Sequence, residues 1–235
     1  MVTLSSFLNE SYLHELKVFA EYDGLDKVAK ADIHLPAEKV SDWQVSLRYL
    51  ESGNQRYREN KTINHRLGSK EERDSIKDSQ QPFAVIIACS DSRTIPEFFF
   101  DQKPGDIFVI RSAGNTIDVT ALGSIEFAAE YLMVPLVMVV GHSNCGVVNA
   151  ALKGGVYGGN LQKVIDIIRP QTINCADLLQ ATQANIHHHA SIIRKNEVIK
   201  RMGVKVIGGY YDIETGGVTI LDDDATSRLG YSSDS

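Results

Sequence analysis

The chain has 235 residues, with 24 Lys and Arg against 30 Asp and Glu, a formal net charge of −6. That balance argues against an electrostatic grip on nucleic acid or on an anionic membrane, and 43% hydrophobic with 23% charged residues argues against wholesale disorder. Three cysteines, Cys89, Cys145 and Cys175, are too few for a disulfide scaffold and suit a reducing compartment.

Residues 4–30 carry apolar positions at helical spacing, broken at Tyr22-Asp23-Gly24, and His34-Leu35-Pro36 reads as a linker. Glu10, Glu15, Glu21 and Asp23 interrupt this stretch early, so a secretory leader is not expected and the expected location is the cytoplasm. Ser41 reads as the N-cap of a helix from Asp42 to Arg58, and residues 60–81 as a polar loop with one short helix. Beyond Pro82 four apolar runs of strand length follow: Phe83–Ala88, Ile107–Ile110, Leu136–Val140 and Val204–Ile207. Runs without polar alternation predict strands buried on both faces, as in a parallel sheet. Helical patterns lie between them at 119–132, 146–152 and 175–201, and residues 208–221 read as a hairpin turning at Glu214–Gly217. The expected fold class is α/β, a central and mostly parallel sheet flanked by helices. It divides into an N-terminal helical extension at 1–40, the α/β domain at 41–221 and a tail at 222–235. No run approaches the roughly 18 apolar residues of a membrane-spanning helix.

On this reading Cys89 follows the first core strand, His142 follows the third, and Cys145 opens the next helix. Ligand sites of open parallel sheets lie at the carboxyl ends of strands. Two thiolates and an imidazole are a soft N/S set suited to zinc, and three protein ligands leave one position open for chemistry. Spacing alone leaves the same cysteines readable as small buried hydrophobes. Three further features read as structural: His187-His188-His189 as a solvated helix face, because consecutive helical residues diverge; Cys175 as a plain buried thiol; and Gly154–Gly159 as flexible punctuation without a phosphate-loop ending.

The surroundings of the three ligands are more specific. Cys89-Ser-Asp-Ser-Arg93 and His142-Ser-Asn-Cys-Gly146, with Pro104–Arg111, Gly123–Ala128 and Val206–Asp212 around them, resemble the β-class carbonic anhydrases over residues 41–221. The resemblance implies one zinc ion per chain on Cys89, His142 and Cys145, and reversible hydration of carbon dioxide to bicarbonate by zinc-bound hydroxide. Asp91 would orient the hydroxide and Arg93 would hold Asp91 ionised. If released, Asp91 could occupy the fourth zinc position itself. Gln80, Phe108, Ala113, Phe127 and the N–H of Gly146 would line the substrate pocket. Ala113 stands where Val is common and Phe127 where Tyr is usual, and core packing is an equally good reading of Phe108, Ala113 and Phe127. Ile86 replaces the Trp of the bicarbonate-inhibited subgroup, so the chain resembles the plant-type subgroup more. A homodimer or tetramer is implied, its first helices packing on the neighbour. Two rival readings remain: a carbon disulfide or carbonyl sulfide hydrolase of the same fold, and a bicarbonate sensor or scaffold without catalysis.

Overall fold

The structure is a computed structural model that describes residues 39–64 and 69–221; the expected N-terminal helices and the tail at 222–235 lie outside the described residues. Helix α1 spans Trp43–Arg58, and its cap is Asp42, whose carboxylate accepts from the N–H of Gln44. The expected cap, Ser41, is one residue early because Asp42 itself holds the extended backbone a cap requires. Helix α2, Lys70–Ile76, is closed by a reciprocal capping box between Ser69 and Glu72.

Five strands follow with helices between them: β1 Ala84–Cys89, α3 Pro96–Phe99, β2 Ile107–Ser112, α4 Val119–Glu130, β3 Leu136–His142, α5 Gly146–Lys153, α6 Gly159–Thr172, α7 Leu178–Lys195, α8 Glu197–Met202, β4 Lys205–Tyr211 and β5 Val218–Leu221. They form one sheet in the order β2-β1-β3-β4-β5. The first four are parallel, and β4 with β5 forms the antiparallel hairpin. The fourth predicted strand and the start of the predicted hairpin are thus one continuous strand. Every residue of β1 and β3 is buried, as uninterrupted apolar runs predict.

Alternation along the strands divides the core. Val85, Ile87, Val137 and Val139 pack on one face with α4 and α7. Ala84, Ile86, Leu136 and Met138 pack on the other with Leu50 of α1 and Phe99 of α3. Helix α7 lies close to the sheet because a Cβ on Gly141 or Gly208 would stand 2.7 Å from a methyl carbon of Ile186. The predicted helix at 175–201 is broken at Asn196, whose side chain accepts from Val198 and Ile199 N–H and so starts α8. Helix α6 was not expected from the sequence: glycines precede it and Pro170 lies within its last turn. Chain direction reverses its sideways progress at β1, with β2 on one side and β3 on the other. The crevice past the carboxyl ends of β1 and β3 is therefore the switch point where ligands of such sheets bind.

Candidate metal centre

Two strand ends and one helix start supply the three donors. Cys89 is the last residue of β1, His142 the last of β3, and Cys145 the cap residue of α5. Their Sγ and ring-nitrogen atoms all lie within 4.8 Å of one another, and all three residues are buried. His142 Nδ1 lies 2.9 Å from the carbonyl oxygen of Ser143. That bond fixes the proton on Nδ1 and turns the Nε2 lone pair inward. Nε2 is buried and has no hydrogen-bond partner. A buried nitrogen lone pair facing two sulfurs is a metal-ligand arrangement with its outer hydrogen bond already made.

The Cys89 sulfur is prepared for charge. Gly114 N–H donates to Cys89 Sγ at 3.4 Å. A hydrogen bond from Cys145 holds the Cys89 thiol down to about 4, with help from His142 and from the N–H groups of Asp91 and Gly114, while burial opposes it. Cys145 is pushed up in turn by the Cys89 thiolate and by burial, and the N–H groups of Val147 and Val148 at the start of α5 pull the other way. The donor set, its closeness and the free Nε2 fit zinc.

Asp91 and Arg93 stand beside this cluster on the loop after β1. Arg93 Nε donates to Asp91 Oδ1 at 2.9 Å and Nη2 to Oδ2 at 2.7 Å, a two-pronged ion pair. The backbone N–H of Arg93 adds a third bond to Oδ1 at 3.0 Å. These bonds hold the Asp91 carboxyl well below the usual carboxylate range. Nη2 of Arg93 also reaches the carbonyl of Asn144 at 3.4 Å, joining the two ligand-bearing loops. Arg111 braces the same loop, donating from Nε to Cys89 O at 3.1 Å and from Nη2 to Asp91 O at 2.7 Å. Its place at the end of an apolar strand gave no signal of that role.

The pocket residues divide. Gly146 opens α5 beside Cys145, and Ala113 follows Ser112, the register partner of Cys89. Gln80 is exposed and precedes β1, at whose far end Cys89 stands. Phe108 pairs with Val85, four residues back along β2 from Ser112, roughly 13 Å by strand rise. Phe127 is 44% exposed, with its ring 6.5 Å from that of Phe108.

The histidine run is a correction. His189 is fully buried, not solvated. Asn185 and His189 recur one helical turn apart on the face that also carries Ala181, Ile186, Ala190 and Ile193, all buried. That spacing was readable in the sequence. Cys175 is half-buried, with its thiol donating to Gln171 O at 3.5 Å.

Comparison with known proteins agrees with this geometry. Residues 84–218 match the family model described as carbonic anhydrase. Carbonic anhydrase 2 of Mycobacterium tuberculosis is 34% identical over 203 residues, covering 78% of this chain and 93% of that protein. A carbonic anhydrase of Mycolicibacterium smegmatis is 40% identical over 138 residues, 57% of this chain and 65% of that one. Among solved structures, a β-carbonic anhydrase of Sordaria macrospora, one of two described as tetrameric, superposes with a TM-score of 0.61 at 25% identity, covering 75% of this chain and 97% of that one. The match spans both ligand-bearing loops and the sheet between them, and on that ground the chain belongs to the β-class carbonic anhydrases, zinc enzymes of carbon dioxide hydration.

Proposed function

We propose that Cys89, His142 and Cys145 hold the zinc ion, that Asp91 and Arg93 are the catalytic pair, and that the enzyme works as a homo-oligomer in the cytoplasm. When bound, zinc supplies the Lewis acidity that makes water nucleophilic near neutral pH. Asp91, kept ionised by Arg93, can only accept hydrogen bonds, so it fixes the orientation of whatever O–H donor stands at the open position of the site. Arg93 keeps both carboxylate oxygens turned toward itself, which holds Asp91 off the metal. The N–H of Gly146, at a helix start, favours the developing negative charge of bicarbonate. The observation that carries this reading is the two-pronged Arg93–Asp91 pair beside three converging buried donors.

An oligomer is favoured by the division of the pocket. Phe108 lies on β2, the edge strand left unpaired on one side among the described residues, and its ring is 6.5 Å from that of Phe127 on α4. An open edge strand beside exposed aromatic rings suits a second copy of the chain. These two rings, with Gln80, would then line a neighbour's site and not their own.

The test compares Asp91→Asn and Arg93→Gln with the wild type by stopped-flow carbon dioxide hydration across pH 6.5–9, at matched zinc content. Loss of kcat by about 10–100-fold in both variants is expected, the range for groups that orient a metal site. Wild-type rates in zinc-loaded Asp91→Asn would refute the assigned role. Sedimentation of the wild type as a monomer would refute the shared pocket.

A further inference from the structure

The short turn after β2 is held from behind by a helix that carries no ligand. Gly114 has φ +66° and Asn115 has φ +48°, two left-handed residues in succession. Gly114 is the residue whose N–H meets Cys89 Sγ. Glycine permits this conformation but does not enforce it, because it crosses backbone basins at little cost. Bonds from outside the turn add to the stiffness. They come from α7: Asn185 Nδ2 donates to Gly114 O at 2.9 Å, and His189 Nδ1 accepts from Ile117 N–H at 3.4 Å. The two side chains are one helical turn apart and clamp the two ends of the same turn. Within it, Ser112 Oγ donates to Thr116 O at 2.7 Å.

This clamp is costly to build. Asn185 and His189 are fully buried, and Asn185 Oδ1, His189 Nε2 and both amide atoms of Asn115 are buried without a protein partner. A half-satisfied polar network is worse for stability than apolar residues of the same shape. Asn185 and His189 both lie on the buried face of α7, and the bonds they do make go to the 113–117 turn.

We propose that Asn185 and His189 are positioning residues of the metal centre: they hold the 113–117 turn so that Gly114 N–H stays aimed at the Cys89 sulfur. A donor on a ligating thiolate draws electron density from sulfur and so tunes both the bond to the metal and its retention. The inference rests on the zinc assignment above.

The test uses the full chain loaded with cobalt(II), whose sulfur-to-metal charge-transfer absorption reports thiolate electron density. In Asn185→Leu and His189→Leu the band is expected to move to lower energy, and cobalt to pass to a chelator about tenfold faster than from the wild type. His189→Asn, which returns an acceptor near the Nδ1 position, is expected to recover most of both. A merely structural role would lower the melting temperature and leave the band of the folded, loaded protein in place. Unchanged band and release rate in the folded Leu variants would overturn the inference while the zinc assignment stands. A wild type that takes up neither cobalt nor zinc would overturn both. If Asn185→Leu does not fold, the His189→Leu and His189→Asn pair decides.

Discussion

The two backbone segments that flank Cys89 in space are held in opposite ways. The loop Ser90–Arg93 faces outward, and its bonds are ionic: the Arg93 side chain is 49% exposed and that of Asp91 19%. The turn Ala113–Ile117 has Gly114 through Ile117 buried, and neutral hydrogen bonds from α7 fix it. Exposed ion pairs contribute little to stability because water and salt screen them. Buried close-packed turns contribute much, because neither strain nor volume change can be relieved there. The difference teaches a division of labour: the outer segment can be altered at the expense of chemistry, and the inner one at the expense of the fold as well.

Three changes test that division, the largest first. Gly114→Ala puts a Cβ 2.6 Å from Ile168 Cδ1 at a residue with φ +66°. Left-handed backbone and overpacking together are expected to destabilise by about 2–4 kcal/mol, read as a lower midpoint in chemical denaturation. A change below about 0.5 kcal/mol would mean the turn is looser than its burial implies. Next is the pH dependence of stability. Burial, with the neighbouring His188, lowers the His189 pKa from 6.5 to about 4. Between those values the unfolded chain binds a proton that the folded chain refuses. Stability is therefore complete above the unfolded value and falls as pH drops through this window, by about 1 kcal/mol per unit. His189→Asn is expected to flatten that part of a melting-temperature profile; an unchanged slope would assign it to other groups. The smallest effect concerns the outer segment. Arg93→Gln is expected to leave the melting temperature close to that of the wild type while activity falls as described above. A large loss of stability would place Arg93 among the structural elements.

The same contrast governs how much could be read from the sequence. The sheet was legible because β1 and β3 are uninterrupted apolar runs; Cys89 and His142 each end such a run, while Cys145, at the start of α5, was reached through the motif it shares with His142. The Asp91–Arg93 pair is local, two residues apart, so its spacing implied its contact. The clamp on Gly114 is not local: Asn185 meets it across 71 positions of sequence. No pattern in a single chain predicts that meeting, and the histidine run reads from sequence as a solvated face although His189 is fully buried. Helix α6 escaped notice because its glycine-bounded start and its proline mask the helical period. Phe108 belongs to the family motif yet lies four residues back along β2 from Ser112, the register partner of Cys89, which a linear motif cannot convey.

Three buried donors, Cys89, His142 and Cys145, make this chain a zinc-dependent carbon dioxide hydratase. That assignment is tested most directly by zinc content and stopped-flow hydration of the purified full chain across pH 6.5–9, beside Cys145→Ser. Near one zinc per chain, activity that rises with pH, and loss of both metal and activity in the variant are the predicted results. Full zinc occupancy without hydration at any pH would contradict the account and turn attention to carbon disulfide or carbonyl sulfide as the substrate.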